Sequence, residues 1–155
     1  TFTLLREHPA LWFFQNAGHP ETMYLLGGDE RNPGSLVSRD GGRTWTAAKV
    51  ADREGLSGPW SNYLGGVFSG VTPDPRDADA AVAYSRAHLL RTADGGLTWT
   101  DSSTLFTGYA WGFGPGGIAF DQFDPKRYMM MCFDAGPVVT ENGGQWFERR
   151  GVPWR

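Results

Sequence analysis

The sequence has little of several features that define common classes of protein. Its 155 residues include one cysteine, Cys132, so the chain can form neither an internal disulfide nor a cluster of thiolate metal ligands. No stretch approaches the roughly 18–20 apolar residues of a membrane-spanning helix. The net charge is −3, and no run of like charges accompanies it. We therefore expect no membrane span, no metal or other cofactor, and no nucleic-acid partner.

Glycine and aromatic residues are abundant instead. The chain has 22 glycines and 10 prolines, and 14% of its residues are aromatic. Disordered chains are poor in aromatic residues, so this composition favours a folded core. No segment shows a sustained helical periodicity with capping residues, which favours β structure with glycine in tight turns.

A short pattern occurs three times, at intervals of roughly 50 residues, which is typical of repeat architectures. Residues 38–46 read Ser-Arg-Asp-Gly-Gly-Arg-Thr-Trp-Thr, and residues 92–100 read Thr-Ala-Asp-Gly-Gly-Leu-Thr-Trp-Thr. The third copy, residues 140–146, has Asn142 in place of aspartate and Trp146 one position early. A proline turn followed by an apolar segment precedes each copy. Each repeat therefore predicts four short strands, the fourth at 43–49, 97–101 and 145–149.

The repeated pattern has a structural interpretation. Two glycines supply the positive φ angles that a tight hairpin between the third and fourth strands requires. An aspartate or asparagine can accept hydrogen bonds from the backbone of the turn, and a serine or threonine can join that network. The tryptophan can pack over the hairpin or between neighbouring sheets. The residues that we interpret in this way are Ser38, Asp40, Gly42, Trp45, Thr92, Asp94, Gly96, Trp99, Asn142, Gly144 and Trp146.

The pattern Ser-x-Asp-x-Gly-x-Thr-Trp resembles the Asp-box, or BNR repeat, and residues 11–150 are similar to blades of Asp-box β-propellers. Sialidases, xyloglucan-cleaving glycoside hydrolases, sortilin-type receptors and a photosystem assembly factor belong to that group. The resemblance implies an all-β fold of β-propeller blades, each with four antiparallel strands. Three blades are expected within a single segment, 1–155, at about 11–50, 65–101 and 117–150.

Three blades are fewer than a closed ring contains, since a propeller needs about four or more. The chain is therefore expected to be a segment of a longer polypeptide, or else to complete a ring with other copies, and the first interpretation is favoured. In both cases further blades are partners of this chain.

Propeller topology directs attention to the loops opposite the repeated turns. Four aromatic residues, Trp60, Tyr63, Tyr109 and Trp111, lie on two glycine-containing loops between blades. Their ring faces could stack on the apolar faces of sugars, or else fill gaps between blades. Arg86, on a short loop of the second repeat, could bind an anionic group.

Two aspartates on the same set of loops are candidate catalytic carboxylates. Asp134 follows an apolar strand in a sequence that resembles the Asp-x-Gly of xyloglucanase-type enzymes, although Pro137 stands where those enzymes have a second glycine. Asp29 occupies the corresponding loop of the first repeat. Inverting glycoside hydrolysis requires one protonated carboxyl group and one ionised carboxylate. Alternatively, both aspartates are solvated or form turns.

The resemblance to xyloglucanase-type enzymes favours a secreted, extracellular, carbohydrate-active propeller that binds a polysaccharide or other glycan. Sialidase chemistry is less well supported, because the Arg-Ile-Pro motif and a Glu–Tyr pair are not recognisable. The alternative function is that of a non-enzymatic propeller of the sortilin or assembly-factor type, which would bind a peptide or protein. The sequence leaves open whether the protein is an enzyme.

Overall fold

The computed structural model describes residues 10–28, 33–51, 70–84, 89–102, 118–132 and 136–149. All the regular secondary structure in these ranges consists of β-strands, and no helix occurs among them. The strands form three sheets, one for each sequence repeat. The all-β fold predicted from the sequence is therefore confirmed.

The first sheet contains four antiparallel strands in chain order. They are β1 (Ala10–Gln15), β2 (Met23–Gly28), β3 (Pro33–Ser38) and β4 (Thr46–Ala47). Tyr24 pairs with Phe14 on one side and with Val37 on the other, so these three apolar residues share a face.

The second sheet has one strand more than the sequence predicts. Four antiparallel strands are β6 (Gly70–Pro73), β7 (Ala81–Tyr84), β8 (Leu89–Thr92) and β9 (Thr98–Asp101). A short fifth strand, β5 (Lys49–Val50), pairs with β9 in parallel. The chain therefore leaves the first sheet by adding to the edge of the second, and Lys49 N donates a hydrogen bond of 2.8 Å to the Leu97 carbonyl.

The third sheet again has four antiparallel strands in chain order. They are β10 (Ile118–Phe120), β11 (Tyr128–Cys132), β12 (Gly136–Thr140) and β13 (Glu148–Arg149).

The hydrophobic core lies between the sheets. One cluster joins Phe14, Tyr24, Leu26 and Val37 of the first sheet to Val71, Ala81, Ala83, Leu90 and Trp99 of the second. The other joins Val82, Tyr84 and Leu89 of the second sheet to Ile118, Tyr128, Met130, Val138 and Phe147 of the third. Because the second sheet is covered on both faces, β7 is apolar at every position and is buried throughout.

Candidate functional site

The turns between the third and fourth strands of the sheets share one hydrogen-bond pattern. We refer to residues 38–44, 92–98 and 140–146 as the glycine-pair turns. In each turn a hydroxyl donates to the side-chain Oδ1 of the residue two positions later: Ser38 to Asp40 at 2.8 Å, Thr92 to Asp94 at 2.7 Å and Thr140 to Asn142 at 2.8 Å. The same hydroxyl accepts a hydrogen bond from the amide of the second glycine: Gly42 at 2.8 Å, Gly96 at 2.9 Å and Gly144 at 3.0 Å.

The two glycines of each turn have left-handed backbone conformations. Their φ angles are 72° and 86° at Gly41 and Gly42, 70° and 95° at Gly95 and Gly96, and 71° and 84° at Gly143 and Gly144. A side chain would strain the backbone at these positions, which explains why glycine occurs in pairs there.

The carboxylates of the first two turns are hydrogen-bond acceptors that stay ionised. The Thr44 hydroxyl and amide donate to Asp40 at 2.6 and 2.8 Å, and these hydrogen bonds lower the pKa of Asp40 to about 2. Partial burial acts to raise the pKa of Asp94, but hydrogen bonds from Thr98 and Thr92 outweigh it and hold that pKa below its ordinary value. Neither group is a proton donor at neutral pH.

The aromatic residue that follows each turn packs toward the preceding sheet where that sheet is present. Trp99 is 1% exposed and lies 6.2 Å from the ring of Tyr24 in the first sheet. In the third sheet the corresponding residue is Phe147, which is 4% exposed and lies in the core against the second sheet. Trp146, for which the sequence predicts packing over the hairpin or between neighbouring sheets, is 50% exposed.

The glycine-pair turns and the proline-containing turns lie at the same end of every sheet. The first-glycine amide of each turn donates to a carbonyl in the turn between the first two strands: Gly41 to Glu21 at 3.0 Å, Gly95 to Asp79 at 2.9 Å and Gly143 to Lys126 at 2.8 Å. β2, β7 and β11 therefore end at the opposite end of the sheets, where the sequence predicts a binding face.

The residues predicted to form that binding face lie outside the described residues. They are the candidate carboxylates Asp29 and Asp134 and the candidate ligand-contacting residues Trp60, Tyr63, Arg86, Tyr109 and Trp111. Their chain neighbours are described in part: β2 ends at Gly28, directly before Asp29, and β11 ends at Cys132, two residues before Asp134.

A cleft of about 550 Å³, which the sequence does not predict, lies between the second and third sheets. Arg91 lines it from the second sheet, and its Nη1 donates to the Gly143 carbonyl at 3.3 Å. Phe120 and Tyr128 line it from the third sheet, and burial raises the pKa of Tyr128 to about 12, so the phenol is neutral. Because two repeats contribute its walls, no local sequence pattern could indicate this cleft.

Comparisons with known proteins give the architecture a name. No protein-family model and no curated protein matches the chain. Among solved structures, YCF48 from Cyanidioschyzon merolae superposes with a TM-score of 0.54 and is 25% identical, over 90% of this chain and 40% of that one. The GH74 xyloglucanase from Xanthomonas campestris has a TM-score of 0.61 and 21% identity, over 95% of this chain and 24% of that one. A structure of YCF48 bound to D1 peptide has a TM-score of 0.53 and 20% identity, over 90% of this chain and 38% of that one.

The three sheets are β-propeller blades. Each sheet contains four antiparallel strands in chain order, and the sheets follow one another along the chain, as blades do in the solved propellers that they resemble. The chain spans less than half the length of each of these three structures. Within the described ranges, no helix is long and apolar enough to cross a membrane.

Proposed function

We propose that this chain is part of a secreted, glycoside hydrolase-like propeller that binds a polysaccharide at the end opposite the glycine-pair turns. The observation that carries the proposal is the position of two strand ends. β2 of the first blade ends at Gly28 and β11 of the third blade ends at Cys132, both at that end. A candidate carboxylate, Asp29 or Asp134, follows each of them within two residues.

The proposed chemistry divides two roles between these carboxylates. Asp134 is the favoured catalytic carboxyl group and Asp29 is the second candidate, with a glycan between them. In an inverting mechanism one carboxyl group protonates the leaving oxygen and the other activates a water, and the two carboxyl groups lie roughly 6.5–9.5 Å apart so that the water fits between the base and the sugar. Trp60, Tyr63, Tyr109 and Trp111 would stack on the sugar rings, and Arg86 would contact polar substituents.

An asparagine substitution tests the catalytic role of Asp134. We expect Asp134→Asn to lower the rate of polysaccharide hydrolysis by about 10²–10⁴-fold, since it removes a proton-transfer group, and to leave polysaccharide binding intact. Reducing-sugar release from a panel of β-glucans and xyloglucan measures the rate, and affinity electrophoresis in the same polysaccharides measures binding.

Asp124→Asn is the matched control. Asp124 belongs to the same blade, is exposed at the other end of the sheet, and accepts a hydrogen bond from Lys126 N that asparagine can also accept. This variant should retain wild-type hydrolysis. Undiminished hydrolysis by Asp134→Asn would contradict the catalytic role, and a lack of binding to every polysaccharide would contradict the whole proposal.

A second candidate function is peptide or protein binding without catalysis, as in a sortilin-like or assembly-factor-like propeller. The observation that favours it is the 25% identity to YCF48, together with the structure of YCF48 bound to a peptide. The same end of the blades would then hold an extended peptide. Binding to a peptide array, in the absence of any polysaccharide hydrolysis by the wild-type protein, would support this function over the first.

The relationship to Asp-box proteins, including sialidases and sortilin-type receptors, belongs to the same proposal. The hydrogen bonds from Ser38 and Thr92 to their aspartates support it, because they give the recurring serine or threonine and aspartate a shared structural task. Extracellular localisation remains a prediction that accompanies the polysaccharide proposal.

A further inference from the structure

The cleft between the second and third blades is lined by residues that differ from their counterparts in the other repeats. Counting from the hydroxyl residue that begins each glycine-pair turn, Arg91 corresponds to Val37 and Val139. The second blade therefore carries a cation at a strand position where the other two blades carry an apolar side chain. A charged group at such a position needs polar partners, and the Gly143 carbonyl of the third blade supplies one at 3.3 Å from Arg91 Nη1.

Two smaller side chains leave space in the same cleft. At the first interface, Arg39 Nη1 lies 2.6 Å from Asp79 Oδ1, and Tyr24 is 2% exposed. Ala93 takes the place of Arg39 in the second blade, and it lines the cleft. Val82 takes the place of Tyr24 and lines the cleft too. The volume of about 550 Å³ falls within the range of roughly 300–1,000 Å³ that is usual for small-molecule sites.

The third blade contributes an aromatic wall. Phe120 lines the cleft, is only partly buried, and takes the place of Pro73 of the second blade. Its ring packs on that of Tyr128, with the centroids 5.2 Å apart, and Tyr128 packs in turn on Phe147 at 5.9 Å. Because Tyr128 and Phe147 are buried, they hold the Phe120 ring in place. Phe120 therefore offers a ring on which the apolar face of a ligand can stack.

The polar groups of the cleft include both hydrogen-bond donors and acceptors. Among the described residues no carboxylate forms an ion pair with Arg91, so its remaining N–H groups can donate to a ligand. Asp77 is exposed, and its Oδ1 accepts from a backbone amide at 2.9 Å, which leaves Oδ2 as an acceptor. Asp94 adds a second carboxylate. The third, Asp74, is already bound at 3.0 Å by both Nε and Nη2 of Arg76.

A neutral sugar matches this combination of groups. Its hydroxyl groups can accept hydrogen bonds from a guanidinium and donate them to carboxylates, while one face of its ring stacks on an aromatic side chain. A small anion would lie near the carboxylates of Asp77 and Asp94, and a small cation would lie near Arg91, so like charges disfavour both. We propose that the cleft is a binding site for one neutral sugar residue.

This sugar site is separate from the catalytic end proposed above. Thr92, Asp94 and Gly143 of the glycine-pair turns line the cleft. It therefore lies at the opposite end of the blades from the strand ends that precede Asp29 and Asp134. A sugar in the cleft is bound without being cleaved, so its binding and polysaccharide hydrolysis can be measured independently.

Methyl NMR of the native, full-length protein tests the proposal, with methyl β-glucoside as the probe. Isotope-labelled alanine methyl groups report on the cleft, because Ala80 and Ala93 line it. Ala47 lies in the first blade and is the internal control. We expect the probe to shift the Ala80 and Ala93 resonances in a saturable way and to leave the Ala47 resonance unchanged.

Substitution of Arg91 tests whether its guanidinium binds the sugar. Arg91→Val introduces the residue that the other two blades have at this position, and it should weaken binding about 10–100-fold, since hydrogen bonds from a charged group are lost. Arg43→Val is the matched control: Arg43 is exposed in the first blade, and its Nη1 also donates to a carbonyl at 3.3 Å. This control should keep the wild-type affinity. Ala93→Leu should block the cleft by filling it and, because Ala93 is exposed, should keep the wild-type stability in chemical denaturation.

Acetate and methylammonium serve as charged probes of the same resonances. If either shifts them at a lower concentration than methyl β-glucoside does, the cleft selects an ion and the proposal is wrong. Ala80 and Ala93 resonances that do not move at any concentration of the sugar would also overturn it, as would wild-type affinity in Arg91→Val. None of these measurements depends on hydrolysis, so failure of the sugar site and failure of the catalytic role of Asp134 are distinguishable.

Discussion

At the residue scale, the aspartates of the glycine-pair turns serve as hydrogen-bond acceptors. Asn142 occupies the corresponding position in the third blade and still accepts from the Thr140 hydroxyl and from the amides of Gln145 and Trp146. The turn therefore needs an acceptor oxygen and tolerates the loss of the charge. This is the role predicted for these residues from the sequence, and it separates them from the candidate catalytic aspartates.

The pKa of Asp40 leads to a pH prediction. Its pKa is about 2 in the folded protein because Thr44 donates two hydrogen bonds to the carboxylate. In an unfolded chain the pKa of aspartate is about 3.9. The lowered pKa thus contributes stability that is present above a pH of about 4 and is lost as the pH falls toward about 2. We expect the free energy of unfolding to decrease across that window.

In the Asp40→Asn variant, the free energy of unfolding should decrease less between pH about 4 and about 2 than it does in the wild type. Urea unfolding followed by tryptophan fluorescence, at closely spaced acid pH values, measures it. The backbone amides of Phe123 and Asp124 lower the pKa of Asp121 too, so part of the acid sensitivity will remain. An Asp40→Asn protein with the full wild-type decrease would contradict the assignment.

At the element scale, two glycines that both have a positive φ angle, 72° at Gly41 and 95° at Gly96, have different surroundings. A Cβ at Gly96 would lie 2.5 Å from Tyr24 Cε1 of the preceding blade, whereas a Cβ at Gly41 would meet no described atom within 4 Å. Gly96→Ala therefore combines backbone strain of about 1–2 kcal/mol with an overpacking cost of about 1–3 kcal/mol. Gly41→Ala carries the backbone strain alone.

We expect Gly96→Ala to lower the free energy of unfolding by more than Gly41→Ala does, and chemical denaturation of the two variants measures the difference. Equal losses would indicate that backbone conformation alone requires glycine at both positions. In a double-mutant cycle, Gly96→Ala should cost less free energy of unfolding in a Tyr24→Ala background than in the wild type, because the ring that the new methyl group meets is then absent.

Strand order could be predicted from the sequence because turn residues separate the strands in all three repeats. The bounds of the fourth strands are harder to predict. In the first repeat the sequence predicts a strand at 43–49, but β4 covers only Thr46–Ala47. Lys49–Val50 form β5, which pairs with β9 of the second sheet. A hydrogen bond to another repeat leaves no local pattern. The sequence could have predicted that Phe147 is the buried aromatic residue of the third repeat. Phe147 lies as many positions after Asn142 as Trp99 lies after Asp94.

The candidate binding face was less predictable than the turns, for a physical reason. Each glycine-pair turn is closed by groups within seven residues, so its geometry is local and its residue types follow from backbone requirements. The residues predicted to form that face, such as Asp134 and Trp111, come from segments between strands or between blades, and the distances between such segments depend on how several blades pack. Local sequence patterns can indicate which chemistry these loops carry, but not the distances between their side chains.

At the scale of the whole molecule, the exposure of the tryptophan side chains indicates which blade faces are covered by a neighbouring blade. Trp45 and Trp99 occupy corresponding positions, yet Trp99 is 1% exposed against the first blade while Trp45, in the blade with no described predecessor, is half-buried. If further blades close a ring with these three, the last of them must pack on the first blade and cover Trp45. In a closed ring, burial of the Trp45 side chain should therefore stabilise the fold about as much as burial of Trp99 does.

In the native, full-length protein, we expect Trp45 and Trp99 to contribute similarly to the free energy of unfolding. Trp99→Ala should lower the free energy of unfolding by about 3–5 kcal/mol, as expected for a large ring in a packed core, and Trp45→Ala should lower it by a similar amount. Trp146→Ala is the control, because this side chain is 50% exposed and does not occupy the interface position. Its effect should stay within about 0.5 kcal/mol of the wild type, the range usual for surface substitutions. A Trp45→Ala protein no less stable than Trp146→Ala would mean that the first blade's outer face is open, and that the blades do not close into a ring.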